Sequence, residues 1–266
     1  MAQTQFVKID SHAHLTSDEL YPHVDQIIER AITQGVKKMV NIATCKETLE
    51  RGIELAKKYP GIIYNTAATT PHDVETQGES FFPLVQKAAK EEKLVAIGET
   101  GLDYYYEHSR RDLQKIFLQR YFELARRSGL NVVIHSRGDD VFNELFRMAD
   151  EQPVRPKCLL HCFTGKAHHA RQAIERGWHI SISGIVTFKK SEDLREVVKE
   201  IPLEHLQIET DSPYLAPQRK RGQMNEPSYL EEVAEEIARI KGVSLEQVCA
   251  ETSKNSCSFF QICDNI

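Results

Sequence analysis

No stretch of this 266-residue chain approaches the ~20 consecutive apolar residues needed to cross a bilayer, so a helical membrane anchor is not expected. An excess of positive charge is missing too. The formal net charge is −5, which argues against a generally sticky nucleic-acid binder while allowing a local basic mouth on an acidic body. The cysteines at positions 45, 158, 162, 249, 257 and 263 form no CxxC pair and show no disulfide-like spacing. Reduced thiols and a cytoplasmic address are therefore expected. Cys158 and Cys162 flank His161, but Cys158 sits in an apolar run and reads as a small buried hydrophobe rather than a zinc ligand. The N-terminus runs straight into "FVKIDSHAH", without signal-peptide architecture. Gly-Ser linkers and low-complexity segments are also lacking, and a single domain over residues 1–266 is the expectation.

What the chain does contain is a regular alternation. Short β-branched or apolar runs ("FVKID", "KKMVNIAT", "IIYNTAA", "LVAIGE", "NVVIHS", "KCLLHC", "HISISG", "LQIETD") alternate with segments of helical period. The helical segments include 24–34, 46–58, 82–91, 112–128, 140–150, 166–176 and 192–199, with 227–241 and 244–260 after the last strand. In "DLQKIFLQRYFELARRSG" the apolar positions 113, 116, 117, 121, 124 and 125 make one stripe, stopped by Gly129. Alternation of this kind gives a parallel sheet, and a count of eight suggests closure into a (β/α)8 TIM barrel; an open doubly wound sheet is the competitor.

Metal-competent residues recur at the strand ends. His12 and His14 follow the first strand, two residues apart, so extended backbone turns both rings to one side. Glu99 ends the fourth, His135 the fifth, His161 the sixth and Asp211 the eighth. A barrel opens all of these ends on one face. Any one of them alone reads as easily as a hydrogen-bonded core histidine or a helix cap. Together they offer six ligands, more than one tetrahedral ion uses, which implies two divalent metals per chain. Glu99 is the candidate bridge, because a carboxylate is able to give one oxygen to each ion. His12, His14 and Asp211 would complete one shell, and His135 and His161 the other. A water shared by the ions would be acidified towards neutral pH and supply hydroxide as nucleophile. Four imidazoles favour Zn²⁺, Mn²⁺ or Fe²⁺.

The stretches "DSHAHL", "GETGLDYY", "VVIHSR", "HCFTG", "SISGIVTFK" and "ETDSPYLAP" with "NEP" resemble the TatD-type metal-dependent deoxyribonucleases of the amidohydrolase superfamily. The resemblance runs from about residue 7 to residue 260. It implies a barrel, two divalent ions with Mg²⁺ also in play, and hydrolysis of DNA phosphodiesters, commonly as a 3′→5′ exonuclease acting on single strands or 3′ ends. The implied ligands are His12, His14, Glu99, His135, His161 and Asp211, and Glu209 matches a further acidic position. Asp211 is the expected proton acceptor, with Glu209, two residues earlier, as the rival and more simply a group that orients a ligand. Four positions depart from the pattern: Thr70 stands where a histidine is frequent, Thr100 where an isoleucine is, and Gln223 and Met224 replace basic residues.

For a phosphodiester, Lys189 with Lys190, and Arg221 with Arg219 and Lys220, lie after strands seven and eight and are candidate phosphate contacts. Tyr104, Tyr105, Tyr106 and Phe188 offer either stacking faces for a terminal base or packing under the loops. The same ligands would equally serve hydrolysis of an ester or amide, including deacylation of a mischarged aminoacyl-tRNA. A third reading, a non-catalytic nucleic-acid scaffold, predicts missing ligands, and none is missing.

Overall fold

A computed structural model describes residues 6–138 and 140–262. Eight strands, β1 (Lys8–Ala13), β2 (Val36–Ala43), β3 (Ile63–Ala67), β4 (Ala96–Asp103), β5 (Asn131–Arg137), β6 (Cys158–Leu160), β7 (His179–Ile182) and β8 (Leu206–Ile208), pair in sequential order and always in parallel. The crossovers are helices α1 (Val24–Thr33), α2 (Lys46–Lys58), α3 (Val74–Lys90), α4 (Arg111–Ser128), α5 (Val141–Asp150), α6 (Ala167–Glu175) and α7 (Glu192–Glu200). Helices α8 (Leu230–Lys241) and α9 (Leu245–Phe260) follow the last strand. The ring is drawn together where the chain leaves β8. Ser11 Oγ donates to the Ile208 carbonyl at 2.9 Å, Asp211 N to the His12 carbonyl at 2.9 Å, and His14 N to the Ser212 carbonyl at 2.8 Å. The result is a nearly closed (β/α)8 barrel, as the alternation predicts.

The apolar patterning accounts for the layers. In α1 the buried residues Val24, Ile27, Ile28 and Ala31 recur at helical spacing and face the outside of the strands. Inside the barrel Ile9, Val40, Ile42, Ala96, Val133 and Leu159 pack together. Phe259, Phe260 and Ile262, at the end of α9, close that inner core from the N-terminal side. The interior is therefore filled by side chains up to the level at which the ionisable residues begin.

Two local expectations are corrected. The third helix starts at Val74 rather than Phe82 and runs through Pro83, because Val74, Gly78, Phe81, Phe82 and Val85 all bury one face. In α4, Ile116 is 50 % exposed, while the neighbouring Gln114 is buried. Gln114 takes the inward place because its amide closes the loop before it, accepting from Asp103 N at 2.8 Å and donating to the Asp103 and Ser109 carbonyls at 3.1 and 2.9 Å. Satisfying three backbone groups there outweighs burying one isoleucine. Gly129 does end α4, with φ 68°. Cys45, Cys158, Cys162 and Cys249 are free thiols, and Cys263 lies outside the described residues.

Candidate metal centre

His12 belongs to β1 itself and is fully buried, while His14 lies just beyond it and is partly exposed. Glu99 is set into the site by an irregularity in β4. Ile97 pairs with Val132 and Thr100 with Ile134, so β4 carries one extra residue between these pairs, a bulge of the kind that re-aims a side chain. Two glycines make it possible. A Cβ on Gly98 would approach the Val133 carbonyl oxygen to 2.6 Å, and one on Gly101 would lie 1.9 Å from that of His135. His161 directly follows β6, and Asp211 comes three residues after the end of β8.

The two oxygens of Glu99 face two separate groups. Glu99 Oε2 lies 3.5 Å from His12 Nε2 and 3.8 Å from His14 Nε2, and Asp211 Oδ1 lies 3.6 and 3.4 Å from the same nitrogens. Glu99 Oε1 lies 2.9 Å from both His135 Nδ1 and His161 Nε2, which are 3.3 Å apart. Donors held ~2.1 Å from one ion are ~3.4 Å apart in a tetrahedron and ~3.0 Å apart in an octahedron. The first group matches the wider spacing and the second the narrower. Both ring nitrogens of His12 are buried without a hydrogen-bond partner. That is costly in a dry interior and would be relieved if Nε2 ligated a cation. The residues present therefore fit divalent ions.

The electrostatics point the same way. Burial pushes the Glu99 carboxyl up, but the charge on His161 and the imidazole N–H groups around it hold it well below the usual carboxylate range. Burial opposes protonation of His161, yet Glu99 and Glu209 draw its pKa well above the ordinary 6.5. His12 moves the other way, lowered by burial and then by the charge of His161. Replacing the imidazole protons of the second group by an ion thus couples metal binding to proton release.

Three buried carboxylates support these ligands: Glu209, which the sequence marks as a group orienting a ligand, and Asp103 and Asp10, which it does not single out. Glu209 is fully buried; its Oε1 accepts from Cys162 N at 2.7 Å and its Oε2 from Ser181 Oγ, and it stands 3.5 Å from His161 Nδ1. That is the place of a group orienting an imidazole. Asp103, at the end of β4, does the same for His135, meeting its Nε2 at 2.9 Å. Burial opposes ionisation of Asp103, but His135 and the N–H groups of Tyr106 and Tyr105 bring its pKa down to about 2. Asp10 accepts from Thr210 N, Thr210 Oγ1 and His12 N at 3.0, 2.6 and 3.2 Å, tying the β8 exit to β1. An Asp closing an apolar strand is the available signal in both cases, and by itself it reads as a turn or cap.

Above the carboxylates and imidazoles lies a cleft of about 480 Å³, with Glu99, His135, His161 and Asp211 in its floor and Tyr106 and Tyr214 on its walls. The model for the family described as "TatD related DNase" matches residues 9–261. The chain belongs to the TatD family of metal-dependent hydrolases. It is 36 % identical to the uncharacterized metal-dependent hydrolase YabD of Bacillus subtilis, with 95 % of this chain and 98 % of that one covered. It is 30 % identical to the 3′-5′ ssDNA/RNA exonuclease TatD of Salmonella typhimurium, with 95 % and 98 % covered. Among solved structures, that of the TatD homologue YjjV of Escherichia coli superposes with a TM-score of 0.89 at 25 % identity, covering 96 % of this chain and 98 % of that one.

Within this TatD family member, the basic positions singled out in the sequence are spread over the rim. Arg221 stacks on Phe188 with its guanidinium 4.6 Å from the ring centroid, and Lys189 is exposed beside them on the loop after β7. Neither lines the cleft. Arg219 pairs with Glu235 at 2.9 Å and Lys220 lies 4.9 Å from the Tyr229 ring centroid, so both are engaged towards α8. Tyr104 packs, donating to Glu144 at 2.7 Å. Of the departures, Thr70 is buried and donates to Asp73 at 2.9 Å, Gln223 accepts from the Tyr229 hydroxyl at 3.0 Å, and Met224 is exposed. "NEP" is structural: Asn225 donates to the Thr210 and Tyr214 carbonyls, and Glu226 pairs with Arg30.

Proposed function

We propose that this protein hydrolyses phosphodiester bonds of single-stranded DNA from the 3′ end, using two divalent ions drawn from Mg²⁺, Mn²⁺ and Zn²⁺. The observation that carries the reading is Glu99, whose two oxygens face His12 and His14 on one side and His135 and His161 on the other. His12, His14, Glu99 and Asp211 would hold one ion, and Glu99, His135 and His161 the other. Ions bound there would polarise the phosphoryl group and make a water acidic enough to attack near neutral pH.

The chain's own groups supply the rest. Asp211 lines the cleft, and its Oδ2 has no hydrogen-bond partner among the described residues. It is free to take a proton from the attacking water and to return it to the leaving oxygen. The imidazoles around it hold its pKa below the usual aspartate value against the effect of burial, so it is ionised at neutral pH. Glu209 is occupied by two donors and orients His161. Lys189 and Arg221 would take phosphates of the strand farther from the bond being cut. The Salmonella relative's name supports the nucleic-acid substrate. The unpaired thiols favour a reducing compartment such as the cytoplasm, and no helix among the described residues is long and apolar enough to cross a membrane.

A single-stranded oligonucleotide labelled at its 5′ end tests this directly. Progressive loss of nucleotides from the 3′ end, abolished by a chelator and restored by added metal, is the expected result. Cleavage of an aminoacyl ester with no action on the oligonucleotide would replace the reading by the deacylase alternative.

A further inference from the structure

Among the described residues that line the cleft, the sole lysine or arginine is Arg137. It ends β5 two residues after His135, so the alternation of the strand carries its side chain upward from the metal-ligating layer to the cleft wall. It enters no ion pair among the described residues, whereas Arg30, Arg51, Arg120, Arg147, Arg176 and Arg239 each face a carboxylate. Its guanidinium instead lies 4.9 and 5.0 Å from the ring centroids of Tyr105 and Tyr106. Those rings meet edge to face at 4.9 Å and are themselves 65 % and 48 % exposed. An exposed, uncompensated arginine held by two exposed aromatics is poor packing but a prepared anion site. The rings restrict the guanidinium without using its N–H donors.

The platform is also fixed to the metal centre. Asp103 Oδ1 accepts from the backbone N–H groups of Tyr105 and Tyr106 at 2.9 and 2.8 Å, while Asp103 Oδ2 meets His135 Nε2 at 2.9 Å. Asp103 and Arg137 are backbone register partners on β4 and β5, and Tyr104 N donates to the Arg137 carbonyl at 2.8 Å. One carboxylate thus sets both a candidate ligand and the turn that shapes the arginine.

We propose that Arg137 is the phosphate anchor for the linkage next to the scissile one, and that Tyr106 is the ring on which the adjoining base stacks. This rests on the phosphodiesterase reading above and adds to it a register: a substrate needs at least one further anionic linkage beside the bond being cut. Guanidinium suits this because its planar fork binds two oxygens of a phosphate at once. The half-exposed ring of Tyr106 would accept any base on its solvent side, so the site selects for a single strand without selecting sequence.

The test uses the metal-loaded protein and a single-stranded hexathymidylate, either all-phosphate or with one neutral methylphosphonate at the linkage beside the terminal one. In the wild type, that single neutral linkage is expected to raise KM about tenfold, the scale of one charge-assisted hydrogen-bonded contact. Arg137→Ala is expected to raise KM for the all-phosphate strand by a similar factor, and the methylphosphonate should then cost it nothing more. Arg137→Lys should fall between, keeping the charge without the fork. Hydrolysis of bis(p-nitrophenyl) phosphate, which has no neighbouring linkage, and the bound metal content should stay within about twofold of wild type. Tyr106→Leu should weaken the hexamer and spare the chromogenic diester. Multiplicative losses in the Arg137→Ala and methylphosphonate combination, or equal losses on both substrates, would overturn the assignment. Should the wild type cleave no oligonucleotide, the same four combinations are read as dissociation constants by anisotropy of a labelled hexamer. Non-additivity there would keep the anchor while removing the nuclease reading, and additivity would remove the anchor.

Discussion

Substituting Asp211 by Asn and Glu209 by Gln separates two buried carboxylates that stand two residues apart yet should do different work. Asp211 borders the cleft and has a free oxygen; Glu209 is fully enclosed and accepts from Cys162 N and Ser181 Oγ. Asp211→Asn keeps shape and one coordinating oxygen but removes a base, so kcat should fall at least ~100-fold, the scale of lost general-base catalysis. Tm should also fall modestly, because the imidazoles that favour the charged form of Asp211 lose that charge. Glu209→Gln turns an oxygen that accepts into an amide that donates, facing either Cys162 N–H or Ser181. One mismatched buried group costs ~1–3 kcal/mol, which for a chain of this size lowers Tm by roughly 2–12 °C. With His161 less firmly oriented, metal affinity should also drop ~10–100-fold. Excess metal should then restore most of kcat in Glu209→Gln and none of it in Asp211→Asn. Turnover against metal concentration, with Tm from the same preparations, gives the answer. Near-normal kcat in Asp211→Asn together with an unrecoverable loss in Glu209→Gln would refute the assignment.

Reversing charge at Lys189 or Arg221 should raise KM for a long oligonucleotide and flatten its salt dependence by about 0.7 counterion per contact, without changing the hydrolysis of a small diester; equal effects on both would assign these residues to the structure of the loops. His169, buried against Phe142 with ring centroids 4.2 Å apart, accepts from Lys166 N through Nδ1, and its pKa is pushed down to about 4 by burial, then by His168 and Lys166. The unfolded chain takes up that proton first, so the stability His169 contributes is fully present above pH ~6.5 and is lost as the pH falls towards 4, by at most about 3 kcal/mol. His169→Asn should give a shallower acid limb in a plot of Tm against pH, and superimposable limbs would show that His169 does not carry the effect.

The barrel was legible because its two periods repeat eight times, and the convergence of the candidate ligands was legible because they fall at strand ends that a barrel must bring together. The two-residue spacing of His12 and His14 does set both rings at one place, with centroids 5.1 Å apart. The failures share a cause. Asp10 and Asp103 act through partners 200 and 32 residues away, and nothing local distinguishes them from turn residues. The bulge that aims Glu99 depends on how β4 meets β5, so "GETG" shows that glycine is present but not why. Charge runs drew attention to the loops after β7 and β8, whereas the one lysine or arginine among the described residues lining the cleft is the isolated Arg137, which no composition window marks. Ile116 lost its inward place to Gln114 because backbone groups of a loop had to be satisfied. Periodicity reads apolar burial well and is blind to polar burial.

If Glu99 joins two metal sites, removing its carboxylate must cost the protein bound metal. Elemental analysis of wild type and Glu99→Ala, each loaded with Zn²⁺ or Mn²⁺ and freed of excess, tests it most directly. Two ions per chain are expected in the wild type and one or none in Glu99→Ala, with nuclease activity lost and the far-ultraviolet circular dichroism of the barrel unchanged. Two tightly held ions in Glu99→Ala, or a single ion in a fully active wild type, would contradict that expectation.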